Sequence, residues 1–190
     1  MVIVMDALMI ILIFIILVIC IIVGLYTVMF NKIQDYIIRI NEVEASIDNL
    51  LRNKYDTINK CVSIIKGNEK INDEADKDIF EEIVKLRARK ISNFDLDRIL
   101  VEAYNSFITI KEKYKIINES EEIQKLSEEL EDNNDRLKIN VDYYNKNIAE
   151  YNKLIKLFPT NIVAKLCKYE EKLFFDRKNM SDEDYKDFKL

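Results

Sequence analysis

Residues 121–159 carry the cleanest helical pattern of the chain and read EEIQKLSEELEDNNDRLKINVDYYNKNIAEYNKLIKLFP. Apolar side chains recur in it at three- and four-residue spacing, the period of an α-helix that buries one face. This stripe consists of Ile123, Leu126, Leu130, Leu137, Val141, Tyr144, Ile148, Tyr151, Ile155 and Phe158. Glu121 and Glu122 suit the start of a helix, and Pro159 ends it. The stretch therefore predicts one long amphipathic helix.

The composition of the whole chain favours helices throughout. Its 190 residues include 2 glycines and 1 proline, whereas an average chain of this length has about 13 and 10. This scarcity excludes turn-rich β architectures and glycine-rich phosphate loops. The chain has no histidine, which excludes His-dependent catalysis and mixed Cys/His zinc sites. The cysteines Cys20, Cys61 and Cys167 form no CxxC pair, so we interpret them as small buried hydrophobic side chains.

Upstream of residue 121, helical spacing predicts three more helices. The first has a coiled-coil-like seven-residue repeat, broken at Glu44 and Lys54, and a stop signal at Gly67. The repeat consists of Ile33, Ile37, Ile40, Ile47, Leu51, Ile58, Cys61 and Ile65. The second helix is expected at residues 73–91, and the third from the capping residue Ser92 to Ile117. Short turns between four helices force antiparallel neighbours, so we expect an up-down-up-down four-helix bundle over residues 31–178.

Downstream of Pro159, the sequence predicts a short fifth helix that Thr160 caps. Its apolar stripe consists of Ile162, Leu166, Tyr169 and Leu173. A basic row beside the stripe, formed by Lys165, Lys168 and Lys172, is expected to contact the surface of a membrane. Packing of the stripe on the long helices is the alternative. Residues 179–190 are expected to form an acidic flexible tail.

The N-terminal residues predict a membrane anchor. Residues 7–30 carry no charged side chain, and as a helix they extend about 36 Å, enough to cross a hydrocarbon layer of about 30 Å. The flank lacks the basic start and small-residue cleavage site of a signal peptide. Residues 1–30 are therefore expected to remain as a transmembrane helix. No glycine or proline lies between Gly24 and Gly67, so this helix is expected to continue into the bundle.

The basic residues near the span predict its orientation. Lys32 and Arg39 follow the span, whereas no lysine or arginine precedes it. By the positive-inside rule, the N-terminus lies outside and the C-terminal domain lies in the cytoplasm. The chain is thus expected to be a single-pass protein of the cell membrane.

The charge pattern narrows the function classes. The net charge is −5, and acidic and basic residues are interspersed. Nucleic-acid binding requires a concentrated basic face, so we expect no nucleic-acid partner. The acidic residues at 73–82 lack the central glycine of a calcium-binding loop. No catalytic triad or Cys-His pair exists, so we expect no enzyme, no catalytic residue, no cofactor and no metal.

Two Tyr-Asn dipeptides and a Phe-Pro dipeptide follow the spacing YN-x5-YN-x5-FP, and this motif resembles the signature of the LemA family. The first helix agrees with the same family. The residues that carry the resemblance are Ile47, Asp48, Tyr55, Asp56, Lys66, Gly67, Tyr144, Asn145, Tyr151, Asn152, Phe158 and Pro159. The resemblance implies a single N-terminal membrane helix followed by a helical-bundle domain. It implies no established enzymatic activity.

We expect these motif residues to be structural. The two tyrosine rings lie on the apolar stripe of their helix, and their hydroxyls and the neighbouring amides need partners, which we expect on neighbouring helices. A polar slot for a ligand is the alternative. Asp48, Arg52 and Asp56 follow one another at four-residue spacing, which predicts ion pairs along one helix face.

Two functional hypotheses follow. The first is a non-enzymatic, membrane-anchored scaffold or adaptor on the cytoplasmic face. Its partners are the lipid bilayer and either a membrane or cytoplasmic protein or copies of itself. The alternative is a membrane-linked sensor or small-ligand-binding module with a polar slot between helices. A solid apolar core would favour the scaffold, and a buried polar cavity would favour the sensor.

Overall fold

The computed structural model describes residues 2–68 and 92–175, in which the regular elements are α-helices. They are α1 (Val2–Gly67), α2 (Asn93–Lys113), α3 (Lys115–Asn118), α4 (Glu121–Lys156) and α5 (Thr160–Leu166). The predicted all-α class is therefore confirmed. The helix predicted at residues 73–91 and the tail predicted at 179–190 lie outside the described residues, so the four-helix arrangement stays a prediction.

Helix α1 has two unlike parts. Large apolar side chains in its first part are exposed, among them Ile10 at 67% and Phe14 at 66%. Within the described residues, α1 is the helix that is long and apolar enough to cross a membrane. A core helix of a water-soluble protein would instead bury such side chains. From Ile33 onward, α1 buries one face against the rest of the chain.

The buried face of α1 follows the predicted repeat. Its buried members are Ile33, Ile40, Ile47, Leu51, Ile58, Cys61 and Ile65, whereas Ile37 is half-buried. Of the two predicted interruptions, Glu44 is exposed, but Lys54 is 1% exposed. The interruption predicted at Lys54 is therefore wrong, because its side chain turns inward and its ammonium lies 5.8 Å from the ring centroid of Tyr104. A long aliphatic stem and a nearby aromatic face make this burial tolerable.

Helix α4 buries the predicted stripe from Ile123 to Ile155. Asn133 fills the one position of the repeat that lacks an apolar residue, and its Nδ2 donates to the backbone oxygen of Leu50 at 3.1 Å. The helix ends at Lys156. Phe158 therefore lies beyond the helical period and is 79% exposed. The prediction that Phe158 belongs to the buried stripe is wrong.

Helix α2 begins as predicted and ends early. The Ser92 hydroxyl accepts a hydrogen bond from the Asp95 backbone N–H at 3.2 Å and donates to its carboxylate at 2.7 Å. This confirms the predicted cap. The helix was expected to reach Ile117, but Tyr114 adopts an extended conformation (φ −113°, ψ 104°) and ends it at Lys113. The break starts the short helix α3, in which Ile117 is buried.

Helix α5 is shorter than predicted. Its stop is a Schellman-type cap: Lys168 adopts a left-handed conformation (φ 55°), and the Tyr169 backbone N–H donates to the Ala164 oxygen at 2.9 Å. Thr160 does not cap the helix, because Pro159 occupies the N-cap position. The Thr160 hydroxyl instead donates to the backbone oxygen of Leu157 at 2.8 Å. The predicted stripe does not run along one helix, because Tyr169 and Leu173 lie beyond the end of α5. Its members Ile162, Leu166 and Leu173 are all more than half exposed.

The chain divides into two compact units. The first unit contains Met1–Asn41 and Lys146–Leu173, and the second contains Glu42–Asn145 and Phe174–Leu190. Each unit takes one part of α1 and one part of α4.

Candidate functional site

In the first unit, Tyr151 and Asn152 hold the backbone of a non-helical segment. The Tyr151 hydroxyl donates to the Glu170 backbone oxygen at 3.1 Å. Asn152 bonds to Lys172 in both directions: its Nδ2 donates to the Lys172 oxygen at 2.8 Å, and its Oδ1 accepts from the Lys172 N–H at 2.9 Å. Such a two-way bond resembles one hydrogen-bonded pair of an antiparallel ladder. Burial, and to a smaller extent Tyr169, raises the pKa of Tyr151.

In the second unit, Asn145 makes the same bond to Phe175. Its Nδ2 donates to the Phe175 oxygen at 2.8 Å, and its Oδ1 accepts from the Phe175 N–H at 2.7 Å. The Phe175 ring is buried and lies 6.3 Å from the Tyr144 ring, edge to face, and 4.6 Å from the Phe94 ring. Burial, with a smaller contribution from Glu44, raises the pKa of Tyr144 to about 12. Tyr144 is therefore a neutral phenol at physiological pH.

We call these two-way bonds the Asn clamps: Asn152 with Lys172, and Asn145 with Phe175. A carboxamide both donates and accepts, so it can pair with the N–H and the C=O of one residue at once. The prediction that these side chains are structural fits this geometry. Their partners, however, are main-chain atoms of a non-helical segment rather than groups on neighbouring helices. Sequence reasoning missed Lys172 and Phe94, because neither residue type signals such a contact.

The family-motif residues of α1 form local contacts. Ile47 is buried, and Arg52 Nε lies 2.7 Å from the Asp48 carboxylate, which confirms one predicted ion pair. Exposed pairs of this kind contribute little to stability, because solvent screens them. Tyr55 is half-buried, whereas Asp56, Lys66 and Gly67 are exposed. Gly67 ends the helix as predicted.

The second unit buries several polar side chains along α1 and α4, among them Lys54, Thr57 and Asn133, and we call these three the buried polar layer. The Thr57 hydroxyl donates to the Glu129 carboxylate at 2.9 Å. Asn133 is 8% exposed, and its buried Oδ1 accepts no hydrogen bond from residues 2–68 or 92–175. Burial raises the pKa of Cys61, in the same unit, to about 12, so its thiol is neutral and unreactive at physiological pH.

The three lysines predicted to contact a membrane do not share one helix. Lys165 is exposed on α5, and Lys168 is exposed just beyond its end. Lys172 is half-buried, and its backbone is held by an Asn clamp. The predicted row along one helix is therefore wrong, because α5 stops at Leu166. Contact of these lysines with a membrane stays a prediction.

Two contacts in the first unit join the segment after α5 to α1. The Tyr26 hydroxyl lies 3.5 Å from the Cys167 thiol, and the Gln34 amide donates to the Tyr169 hydroxyl. Tyr26 lies near the end of the uncharged run and Gln34 lies just after it. Residues 167–169 therefore lie beside the end of the apolar part of α1.

Metal-binding groups are not clustered in the described segments: residues 2–68 and 92–175 contain no group of three or more Cys, Asp or Glu side chains that suits a metal ion. The geometry instead consists of helices, Asn clamps and an exposed apolar span.

Comparisons with known proteins agree with the sequence motif. The model of the LemA family matches residues 43–186. The match contains both Tyr-Asn dipeptides and the segment that they hold, and it begins after the apolar span. A comparison with curated proteins returns no match.

Proposed function

The chain belongs to the LemA family, and from this premise we propose that it is a non-enzymatic, membrane-anchored helical scaffold or adaptor on the cytoplasmic face of the cell membrane. It holds a membrane or cytoplasmic protein, or a second copy of itself, near the bilayer. The observation that carries this proposal is the continuity of α1 from Val2 to Gly67. One unbroken helix supplies both the apolar span and a buried face of the folded domain.

The exposed apolar side chains of α1 support the anchor. Residues such as Phe14 and Leu17 are more than half exposed, and so large a continuous apolar surface is not stable in water. A bilayer covers it, because a helix of this length and composition matches the hydrocarbon thickness.

The polar interior supports binding rather than chemistry. Asn145, Asn152 and Tyr151 direct their polar atoms to the protein's own backbone. Tyr144 is held neutral by burial. Groups that are used in this way stabilise a shape, and a stable shape with an anchor is what a scaffold requires.

The orientation is tested with reporters fused after Leu190. A reporter that is active only in the cytoplasm should be active, and one that is active only outside should be silent. The expectation rests on Lys32 and Arg39, which follow the span. The opposite pattern would place the domain outside and contradict the proposal.

The scaffold role is tested by relocation of a partner. A photoreactive residue at Ile116 or Tyr143, two large side chains that are exposed, is introduced into the full chain and into a chain without residues 1–30. Both should cross-link the same partner. Only the full chain should move that partner into the membrane fraction. A partner whose distribution is the same with both chains would refute the scaffold role.

The buried polar layer favours the ligand-binding module as the second candidate. Asn133 Oδ1 is buried and accepts no hydrogen bond from the described residues, and such an acceptor is usually satisfied by water or a ligand. Native mass spectrometry of the full chain would detect a small molecule that copurifies. The mass should be lost in Asn133→Leu and kept in Asn140→Leu, a variant on the same helix. No bound mass in the wild-type chain would leave the layer purely structural.

A further inference from the structure

The turn between α4 and α5, together with α5, carries an apolar surface that faces away from the protein. We call it the α5 patch, and it consists of Leu157, Phe158, Ile162 and Leu166. Their exposed fractions are 51%, 79%, 52% and 70%. The turn is compact, because the Asn161 N–H donates to the Leu157 oxygen at 2.9 Å. The two patch residues of the turn are therefore held close to those of α5.

Helix α5 is apolar on two faces. Val163 and Ala164 are 2% and 3% exposed and pack inside the first unit. Ile162 and Leu166, four residues apart and hence on one face of the helix, point away from that interior. A helix that is apolar on both sides needs a non-aqueous environment on both sides. The protein's own described residues supply only one of them.

The contacts with α1 place α5 at the end of the apolar span. Cys167, the residue after α5, contacts Tyr26, and Tyr169 contacts Gln34. Tyr26 and Gln34 are separated by about 12 Å along the helix axis, at about 1.5 Å per residue. Tyr169 therefore lies at the level of Gln34, beyond the uncharged run, whereas Cys167 lies at the level of Tyr26, inside it. Helix α5 immediately precedes Cys167, so it lies at the level of the last turns of the span.

We propose that the α5 patch inserts into the interfacial region of the same bilayer that takes up the apolar part of α1, as a second membrane contact that does not cross the bilayer. Interfacial helices bury their apolar face about 5–10 Å into the boundary between headgroups and acyl chains. A patch at the level of Tyr26, within the apolar run that ends at Phe30, lies at this depth. This inference rests on the proposed membrane anchor.

Charged residues near the patch suit a lipid partner. Lys165, between Ile162 and Leu166 in sequence, is exposed, and so is Lys168. Of the nearby acids, Glu171 forms an ion pair with Lys156 at 2.9 Å, and Glu170 is exposed. Exposed lysines beside an apolar face attract the anionic headgroups of the cytoplasmic leaflet. The patch also ends at Leu166, next to Cys167, which contacts Tyr26 of the span. These two observations favour lipid over a second copy of the chain.

Tryptophan fluorescence tests this insertion directly, because the chain contains no tryptophan. Four single-tryptophan variants of the full chain are placed in nanodiscs of phosphatidylcholine and phosphatidylglycerol, one copy per disc. Phe158→Trp and Leu166→Trp report on the patch. Leu17→Trp reports on the span, and Ile139→Trp is the matched control, since Ile139 is 67% exposed in the second unit. Acyl-chain bromines quench a tryptophan that lies in the bilayer.

If the proposal is correct, brominated lipid removes most of the emission of the two patch variants and of Leu17→Trp, and the patch emission is shifted to the blue. Ile139→Trp keeps its emission. Quenching of Leu17→Trp alone would overturn the insertion and leave the anchor in place. If bromine also fails to quench Leu17→Trp, the anchor itself is overturned. A second preparation with two copies per disc tests contact between copies. If the patch emission shifts to the blue only in that preparation, and bromine does not quench it, the patch contacts a second copy and the proposal is overturned.

Discussion

Replacement of Asn152 by alanine should release the segment after α5 from α4. The change removes two hydrogen bonds to Lys172, at 2.8 and 2.9 Å. Each hydrogen bond contributes about 0.5–1.5 kcal/mol net, so their loss costs about 1–3 kcal/mol. Alanine is a better helix former than asparagine by about 0.5–0.7 kcal/mol, which offsets part of the loss. The expected decrease in the free energy of unfolding is therefore about 0.5–2.5 kcal/mol.

The matched control is Asn140→Ala. Asn140 lies on the same helix, and its Nδ2 donates to the backbone oxygen of Arg136 at 2.8 Å. This bond is local to α4, so the control measures the gain in helix propensity without the loss of a long-range clamp. We expect Asn140→Ala to be neutral or slightly stabilising.

Hydrogen exchange measures the release most directly, because the clamp protects the Lys172 amide. The loss of about 1–3 kcal/mol of local stability should speed exchange at this amide about 5- to 150-fold. Asn152→Asp should behave like Asn152→Ala. Its carboxylate can still accept from the Lys172 N–H, but it cannot donate to the Lys172 oxygen. It also places a negative charge next to that oxygen. Equal exchange of residues 170–175 in Asn152→Ala and Asn140→Ala would refute the clamp.

The remaining predictions concern the core, the thiols and a helix cap. Ile148→Ala should cost about 2–5 kcal/mol, since Ile148 is fully buried, whereas Ile139→Ala should cost less than about 0.5 kcal/mol; chemical denaturation of both variants checks this. Cys61 should resist maleimide at pH 8 while Cys167, which is half-buried, reacts, and mass spectrometry of the labelled chain would expose the opposite order. Folding raises the pKa of Cys61 from 9.0 to about 12. The stability that the protonated thiol contributes is therefore fully present below pH 9 and is lost as the pH rises towards 12. Unfolding of wild type and Cys61→Ala at a series of alkaline pH values measures this loss. Ser92→Ala should destabilise α2 by about 0.5–2 kcal/mol through loss of the cap, and hydrogen exchange at the first turn of α2 should show it.

The helical spans were predictable because their signal is local. Apolar spacing located α1 and α4, Ser92 located the start of α2, and Gly67 located the end of α1. The end of α5 was not predictable in this way. Its cap uses Lys168 in a left-handed conformation, a position that sequences usually mark with glycine. The break at Tyr114 likewise carries no proline or glycine.

Only half of the candidate site was predictable from the sequence. The Tyr-Asn dipeptides were recognisable, and the placement of their rings on the buried stripe of α4 is correct. The groups that the amides bind were not recognisable, because a main-chain N–H and C=O are the same in every residue. The inward turn of Lys54 depends on a ring that approaches from a different helix, which spacing within one helix does not encode.

Within the first unit, two contacts determine how the segment after α5 is attached to α1. A flexible linker of ten residues would let an attached domain wander over about 16–19 Å. Here Tyr26 and Gln34 are held on either side of Phe30, the last residue of the apolar run. Insertion of one residue between them would rotate one grip against the other by about 100° and shift it by about 1.5 Å, so both cannot persist. The segment after α5 is therefore held to α1 rather than tethered to it, and a tilt of the apolar part of α1 carries this segment with it.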